Sequence, residues 1–319
     1  MKENFRLGVV IVNYRTADLA IDCLASLAAP GAMPDGTRVV VVDGGSGDGS
    51  ASRIETAITE NGWGSRISLL ALATNGGFAY GNNRGLDHMR AVYGDPDYFL
   101  FLNPDTVVRK AALAELLSFM DRTPDAGVAG SRLEDHDETR QACAFRFPSA
   151  VADLESEARI GLLTRLLRPW SVLPKVGDEP SLVDWVSGAS MIVRSEVLRE
   201  IGGFDESFFL YYEEVDFCRR ARKAGWRCYH VPQSRVVHLV GRATGVTLRH
   251  APLPRRPAYW FESRNRYFIK HHGAVYLAFA DMAWMIGHIA YRAKHLLRGR
   301  ASASPPYLLG DFIRHSFRT

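Results

Sequence analysis

A chain of 319 residues, 47% of them hydrophobic and 23% charged, has the apolar content to bury one large core or two smaller ones, which excludes a disordered class. Four cysteines, Cys23, Cys143, Cys218 and Cys228, stand far apart without a CxxC pair, so neither a thiolate zinc site nor a disulfide framework is indicated and packed thiols are expected. The net charge of +4 conceals an asymmetry: residues 241–319 hold 13 Lys/Arg against 3 Asp/Glu, and residues 1–240 carry a net −6. A basic C-terminal segment on a mildly acidic body points to an anionic partner, a membrane surface or a nucleic acid.

In chain order, residues 8–12, 39–42, 67–72 and 98–102 are apolar, largely β-branched runs that read as strands. The first is too short for a signal segment and closes at Asn13-Tyr14-Arg15, so the expected location is cytoplasmic. Residues 18–27, 50–58, 80–89 and 111–120 carry apolar side chains at helical spacing. This alternation predicts an α/β domain with a largely parallel sheet, whose ligands bind beyond the carboxyl ends of the strands. Polar and glycine-rich residues follow every one of those strands.

At the second strand tip, Asp43 opens into Gly44-Gly45-Ser46-Gly47-Asp48-Gly49-Ser50. Its carboxylate is suited to the imide N–H of a uracil or thymine, and the glycines admit a flat ring; Asp48 and Ser50 read as helix-capping residues. The run Asn75-Gly76-Gly77-Phe78-Ala79-Tyr80-Gly81-Asn82-Asn83 is costly as a helix start, at roughly 1 kcal/mol per Gly, which suggests that its backbone N–H groups or amides serve a ribose and diphosphate; the alternative is a structural turn. After the fully apolar residues 98–102, Asn103-Pro104-Asp105 presents a carboxylate that a divalent cation would stabilise, or else a plain turn.

Residues 183–193 and 235–239 read as further strands, and residues 195–200 and 214–223 as helices. Past a Pro/Arg-rich joint at residues 252–257, helices are expected over residues 259–271 and 274–297. The last contains Asp281 and His288, too polar mid-way for a membrane span, and fits an interfacial or bundle helix.

Together Asn13-Tyr14, the Asp43 turn, the Asn75 to Asn83 run, Asn103-Pro104-Asp105, Trp185-Val186-Ser187-Gly188-Ala189, Gly202-Gly203-Phe204-Asp205, Tyr212-Glu213-Glu214-Val215-Asp216 and His238 resemble, in order and spacing, the family-2 glycosyltransferases. The likeness covers about three-quarters of the chain and is strongest to the rhamnosyltransferase-type members that use a dTDP-sugar. It implies a GT-A fold over residues 1–250, with a nucleotide-sugar half at 1–110 and an acceptor half at 111–250, and a basic helical extension over 251–319. Asp43 would meet the base, and Asn13, Tyr14, Asn75, Gly77, Phe78, Asn82 and Asn103 the rest of the nucleotide. Asp105 and His238 would hold Mn²⁺ or Mg²⁺. Glu213-Glu214 supplies the acid pair, Glu214 being the favoured general base. Trp185, Ser187, Gly188 and Asp205 would contact the acceptor. Two positions depart from the family pattern: the usual Asp-Asn-Gly-Ser turn reads Asp43-Gly44-Gly45-Ser46, and the usual Asp of the acid pair is Glu214.

The expected activity is inverting transfer of a sugar, rhamnose from dTDP-rhamnose or another dTDP- or UDP-linked sugar, to a lipid-linked or polysaccharide acceptor in cell-surface glycan synthesis. A nucleotidyltransferase would carry a Gly/Arg/Lys-rich phosphate loop near the N-terminus; a non-catalytic sugar-binding module would show no turnover. Arg255, Arg256, Arg264, Arg266 and Lys270 alternate with Tyr259, Trp260, Phe261, Tyr267 and Phe268, a mixture also found in single-strand nucleic-acid binders. Beside sugar-transfer motifs it favours an anionic membrane over nucleic acid, and a peripheral place at the inner face of the cell membrane.

Overall fold

The computed structural model describes residues 5–239, 253–299 and 304–316. Its first half runs β1 (Leu7–Asn13), α1 (Ala17–Ala28), β2 (Thr37–Asp43), α2 (Ser50–Glu60), β3 (Ile67–Ala71), α3 (Gly77–Tyr93), β4 (Tyr98–Leu102), β5 (Thr106–Val108) and α4 (Ala112–Arg122). The second half adds β6 (Ala126–Glu134), β7 (Ala144–Phe145), α5 (Ala150–Ala158), α6 (Gly161–Leu167), β8 (Ser181–Val183), β9 (Trp185–Val186), β10 (Ser190–Arg194), α7 (Ser195–Ile201), α8 (Glu213–Lys223) and β11 (Arg227–His238). Three helices close the chain: α9 (Ala258–His272), α10 (Ala274–Leu297) and α11 (Leu308–Ser316).

One sheet organises these elements, in the order β3-β2-β1-β4-β10-β6-β11-β5, with β8 on β11. From β3 to β4 the pairs are parallel; β10 then runs antiparallel to both β4 and β6. The sheet is therefore mixed rather than simply parallel. Every residue of β4 is buried, as an all-apolar central strand covered on both faces must be. Residues 183–193 are not one strand: the Ser187-Gly188-Ala189 turn separates β9 from β10, with the Ala189 N–H donating to Ser187 Oγ. All four cysteines are free and buried.

The glycines of α3 have a packing cause. A Cβ on Gly85 would meet Val10 Cγ1 at 2.4 Å, and one on Gly81 would meet Val12 Cγ1 at 2.8 Å, so bare backbone lets the helix lie directly on β1. The helix begins at Gly77, three residues before the predicted start.

The extension is seated by buried charge and aromatic packing. Arg264 is 1% exposed and donates to Asp281 Oδ1 at 2.6 Å and to Asp153 Oδ2 at 2.7 Å. Phe261, Tyr267 and Phe268 are buried, Lys270 pairs with Asp205 and Asp216, and Arg255 pairs with Asp311. The aromatic-basic interleaving of α9 thus serves mainly to dock the helix on the body. Of the basic residues expected to meet a membrane, Arg264 is buried, while Arg255 and Lys270 are paired with acids nearer the surface.

Gly85→Ala gains about 1 kcal/mol of helix propensity, while the forced contact with Val10 costs typically 1–3 kcal/mol. Urea unfolding should show a net loss of stability; a gain would mean that the helix stands farther from β1.

Candidate active site

The carboxyl ends of β1 and β4, the start of α3, the β9–β10 turn and the start of α8 converge on a cavity of about 550 Å³. Its wall includes Tyr14, Asn75, Gly77, Phe78, Asn103, Asp105, Ser187, Gly188, Glu213, Glu214 and His238, eleven of the residues singled out in the sequence. Val12, Phe209, Leu210 and Tyr259 supply apolar wall between them.

Asp105 is placed by strand pairing. Directly after it, β5 runs antiparallel to β11 with Thr106 opposite His238, which sets His238 Nε2 3.5 Å from Asp105 Oδ1. Glu134, fully buried, fixes this corner by accepting hydrogen bonds from Arg109 beyond β5 and from Arg235 of β11. A buried carboxylate oxygen beside an imidazole nitrogen is a donor set suited to Mn²⁺ or Mg²⁺ when an anionic ligand completes the shell. Among the described residues no group of three or more His, Cys, Asp and Glu could hold a metal by itself.

The other charged wall is the start of α8. Tyr211 and Tyr212 both sit at φ +69°, a left-handed turn that aims the first residues of α8 into the cavity. Glu213 is buried and Glu214 half-buried; neither Glu213 Oε2 nor Glu214 Oε2 has a hydrogen-bond partner among the described residues. Burial pushes the Glu214 carboxyl up to about 7, opposed by backbone hydrogen bonds from Glu214, Val215 and Gly188. Burial and then the neighbouring Glu214 charge push Glu213 well above the carboxylate range. Adjacent helical side chains diverge by about 100°, yet both reach the cavity because it wraps the end of α8.

Other predicted residues stand behind the wall. Asp43 is buried and accepts from Asn13 Nδ2 at 2.8 Å, Ser46 Oγ at 2.6 Å and Ser46 N at 3.0 Å. It acts on the cavity by holding Asn13 and the glycine turn beside Tyr14 and Gly44. Asn82 donates to the Phe78 carbonyl at 2.9 Å from a buried position. The N–H groups expected to serve the diphosphate are partly spent: Gly77 donates to Asn75 Oδ1 and Phe78 to the Phe209 carbonyl. Trp185 is stacked on Phe145 at 4.1 Å with its Nε1 donating to the Arg146 carbonyl, and it does not line this cavity. Asp205 lies outside the cavity wall, paired with Lys270 at 2.7 Å; Ser207 and Lys270 outweigh burial and hold its carboxyl below the usual range.

Val12, Thr16, Phe209, Leu210, Tyr211 and Tyr259 also line the cavity without being marked as site residues by the sequence. Phe209 and Leu210 precede α8, and Tyr259 comes from α9, where its ring lies 5.6 Å from that of Phe209. Clustered aromatics before Glu213-Glu214 were a signal; the positive φ values were not. Asp216 is fully buried between Arg220, Lys270 and His271, which outweigh its burial and hold it well below the usual range.

Residues 5–266 match the family described as Glycosyltransferase like family 2. The chain belongs to that family. It is a glycosyltransferase, similar to the N-acetylglucosaminyl-diphospho-decaprenol L-rhamnosyltransferase of Mycobacterium tuberculosis at 28% identity over 311 residues, covering 92% of this chain and 93% of that protein. It is also similar to rhamnosyltransferase WbbL of Escherichia coli, at 26% identity over 51% of this chain and 60% of the relative. Among solved structures, the mannosyltransferase of Pyrobaculum calidifontis in complex with GDP-Man and Mn²⁺ superposes with a TM-score of 0.56 at 17% identity, covering 97% of this chain and 79% of that one. The glycosyltransferase sheet is accordingly the GT-A fold.

Raised folded-state carboxyls bind protons more tightly than the unfolded chain does, so their contribution to stability falls as pH rises from about 4.5 through about 7. Without metal or donor, Glu214→Gln should melt above the parent at pH 8 and level with it at pH 4. An equal difference at both values would show that Glu214 does not titrate in this range.

Proposed function

We propose that this glycosyltransferase moves rhamnose, from dTDP-rhamnose or another pyrimidine-diphosphate sugar, onto a lipid-linked or glycan acceptor with inversion at the anomeric carbon. The observation that carries the reading is the pair of unpartnered carboxylate oxygens on Glu213 and Glu214 in the same cavity as Asp105 and His238. Rhamnosyl transfer is supported by the names of the mycobacterial and Escherichia coli relatives, and a lipid-linked acceptor by the mycobacterial name. Use of a metal is supported by the Mn²⁺ in the mannosyltransferase complex and by the Asp105–His238 donor set. An acceptor held in the bilayer would put the enzyme at the inner face of the cell membrane.

Tyr14 and Asn75 line the end of the cavity shaped by Asp43, and offer a ring face and an amide to the nucleoside. Asp105 and His238 would hold Mn²⁺ or Mg²⁺, which when bound neutralises charge on the leaving diphosphate. Glu214 takes the acceptor hydroxyl proton as the acceptor oxygen bonds to the anomeric carbon. The bond from that carbon to the diphosphate oxygen breaks, and its electron pair leaves with the nucleoside diphosphate. Direct displacement of this kind needs one base and inverts the centre. Glu213, deeper, orients the acceptor.

A carboxylate base raised to about 7 gives turnover that climbs with pH and levels above about 7. Glu214→Gln should cut turnover on the order of a hundredfold or more while donor affinity stays nearly unchanged; near-normal turnover in Glu214→Gln with loss in Glu213→Gln would exchange their roles.

Asp105→Ala should abolish the metal-dependent part of donor binding measured by calorimetry, and Asp43→Ala should weaken nucleoside binding even without metal. Turnover unchanged by a chelator would remove the metal from the reaction.

A further inference from the structure

α10 is apolar on two opposite faces. One, with Leu277, Trp284 and Tyr291, is buried against the body. On the other, Val275, Phe279, Met282, Ile286, Ile289 and Leu296 recur at heptad spacing and are between 45% and 82% exposed. At about 100° per residue, this stripe is turned roughly 160° from the buried face. A surface helix ordinarily carries charge there.

A second exposed apolar group follows α5: Leu162 and Leu166 on α6, with Trp170 and Leu173 just beyond, are between 54% and 81% exposed. The two groups are tied together. Lys294 Nζ donates to the Arg159 carbonyl, the Arg159 guanidinium lies 4.8 Å from the Tyr291 ring, and α10 crosses α5 so closely that a Cβ on Gly287 would meet the Leu154 carbonyl at 2.9 Å.

Charge decides the occupant. Residues 159–177 contain four Lys/Arg and no acid; residues 274–298 contain three, against the single acid Asp281, which is bonded to Arg264 inside the body. Two copies pressed together on this face would oppose cation to cation, whereas anionic headgroups are complementary. By length and composition α10 could cross a membrane. Its inner face, however, is held by the Asp281–Arg264 and His288–Glu157 pairs, so the helix lies along a surface rather than through it.

We propose that the outer stripe of α10 and the exposed leucines and tryptophan of residues 162–173 form one docking face for an anionic bilayer. For its purpose this rests on the lipid-linked acceptor proposed above, but vesicle binding is measured without donor or acceptor, so its failure would leave the transfer reaction untouched. The full chain is floated with vesicles of phosphatidylcholine alone or mixed with phosphatidylglycerol, beside Leu162→Glu/Leu166→Glu and Ile286→Glu/Ile289→Glu variants. Expected is flotation with the mixed vesicles alone, weakened by salt and reduced at least about tenfold in each variant, with melting temperatures unchanged because these side chains are exposed. Failure of the parent to float with anionic vesicles, or flotation of both variants like the parent, overturns the assignment. A parent dimer in light scattering that the variants convert to monomer, without vesicle binding, assigns the face to a second copy.

Discussion

Crowding carboxylates against apolar wall is the constraint on which the arrangement of this cavity depends. The N-terminus of α8 favours each of its acids by about 0.3–1 kcal/mol, but taking a charge out of water costs several kcal/mol unless it is paired. Glu213 and Glu214 resolve that conflict by holding their protons more tightly. A cavity shaped only for stability would have apolar side chains at these positions. Retaining unpartnered carboxylate oxygens, with an Asp and a His on the same wall, makes chemical sense where a proton must be accepted and a divalent cation would offset the charge of a phosphate-bearing ligand.

Geometry around the cavity is held by two fully buried acids outside it. Glu134 gathers Arg109, Arg132 and Arg235, joining β5, β6 and β11 at the place where Asp105 meets His238. Asp216, two residues after Glu214, gathers Arg220, Lys270 and His271, joining α8 to α9. Buried ion pairs are weak sources of stability compared with apolar packing. Their directional hydrogen bonds do fix which strand or helix lies beside which, and here each hub lies directly behind one wall of the cavity.

Local patterns carried much of this into the sequence. The unbroken apolar run of β4 and the acids at the start of α8 are readable because their physical causes lie within a few residues. So are the limits of α10, which begins after Gly273. β6 is not legible in the sequence, since AGVAGSRLE shows neither alternation nor an apolar block and becomes a strand through its neighbours β10 and β11. Distance hid the role of α9: Arg264 looks like a surface cation until Asp153, 111 residues earlier, is placed beside it. The packing of Trp185 is hidden for a similar reason, because the Phe145 ring stacked on it comes from another strand. The glycines of α3 were recognised as costly, but the cause was close approach to β1 as well as the cavity.

The C-terminal helices belong to the mechanics of the cavity. Gly77 packs so tightly under the turn before α8 that a Cβ there would stand 2.2 Å from the Phe209 carbonyl, the same oxygen that accepts the Phe78 N–H. That turn is in turn covered by Tyr259 at the beginning of α9, while Lys270 and His271 at the end of α9 grip Asp216. α9 therefore touches the wall of the cavity at one end and α8 at the other. Between those ends Arg264 reaches across to Asp281 of α10, the helix whose outer face is apolar. A rigid α9 thus sets the separation between the Glu213 and Glu214 carboxylates and that outer face. Displacing α9 would disturb the cavity wall before it disturbed the strands, since β1, β4 and β10 are secured by their own ladder.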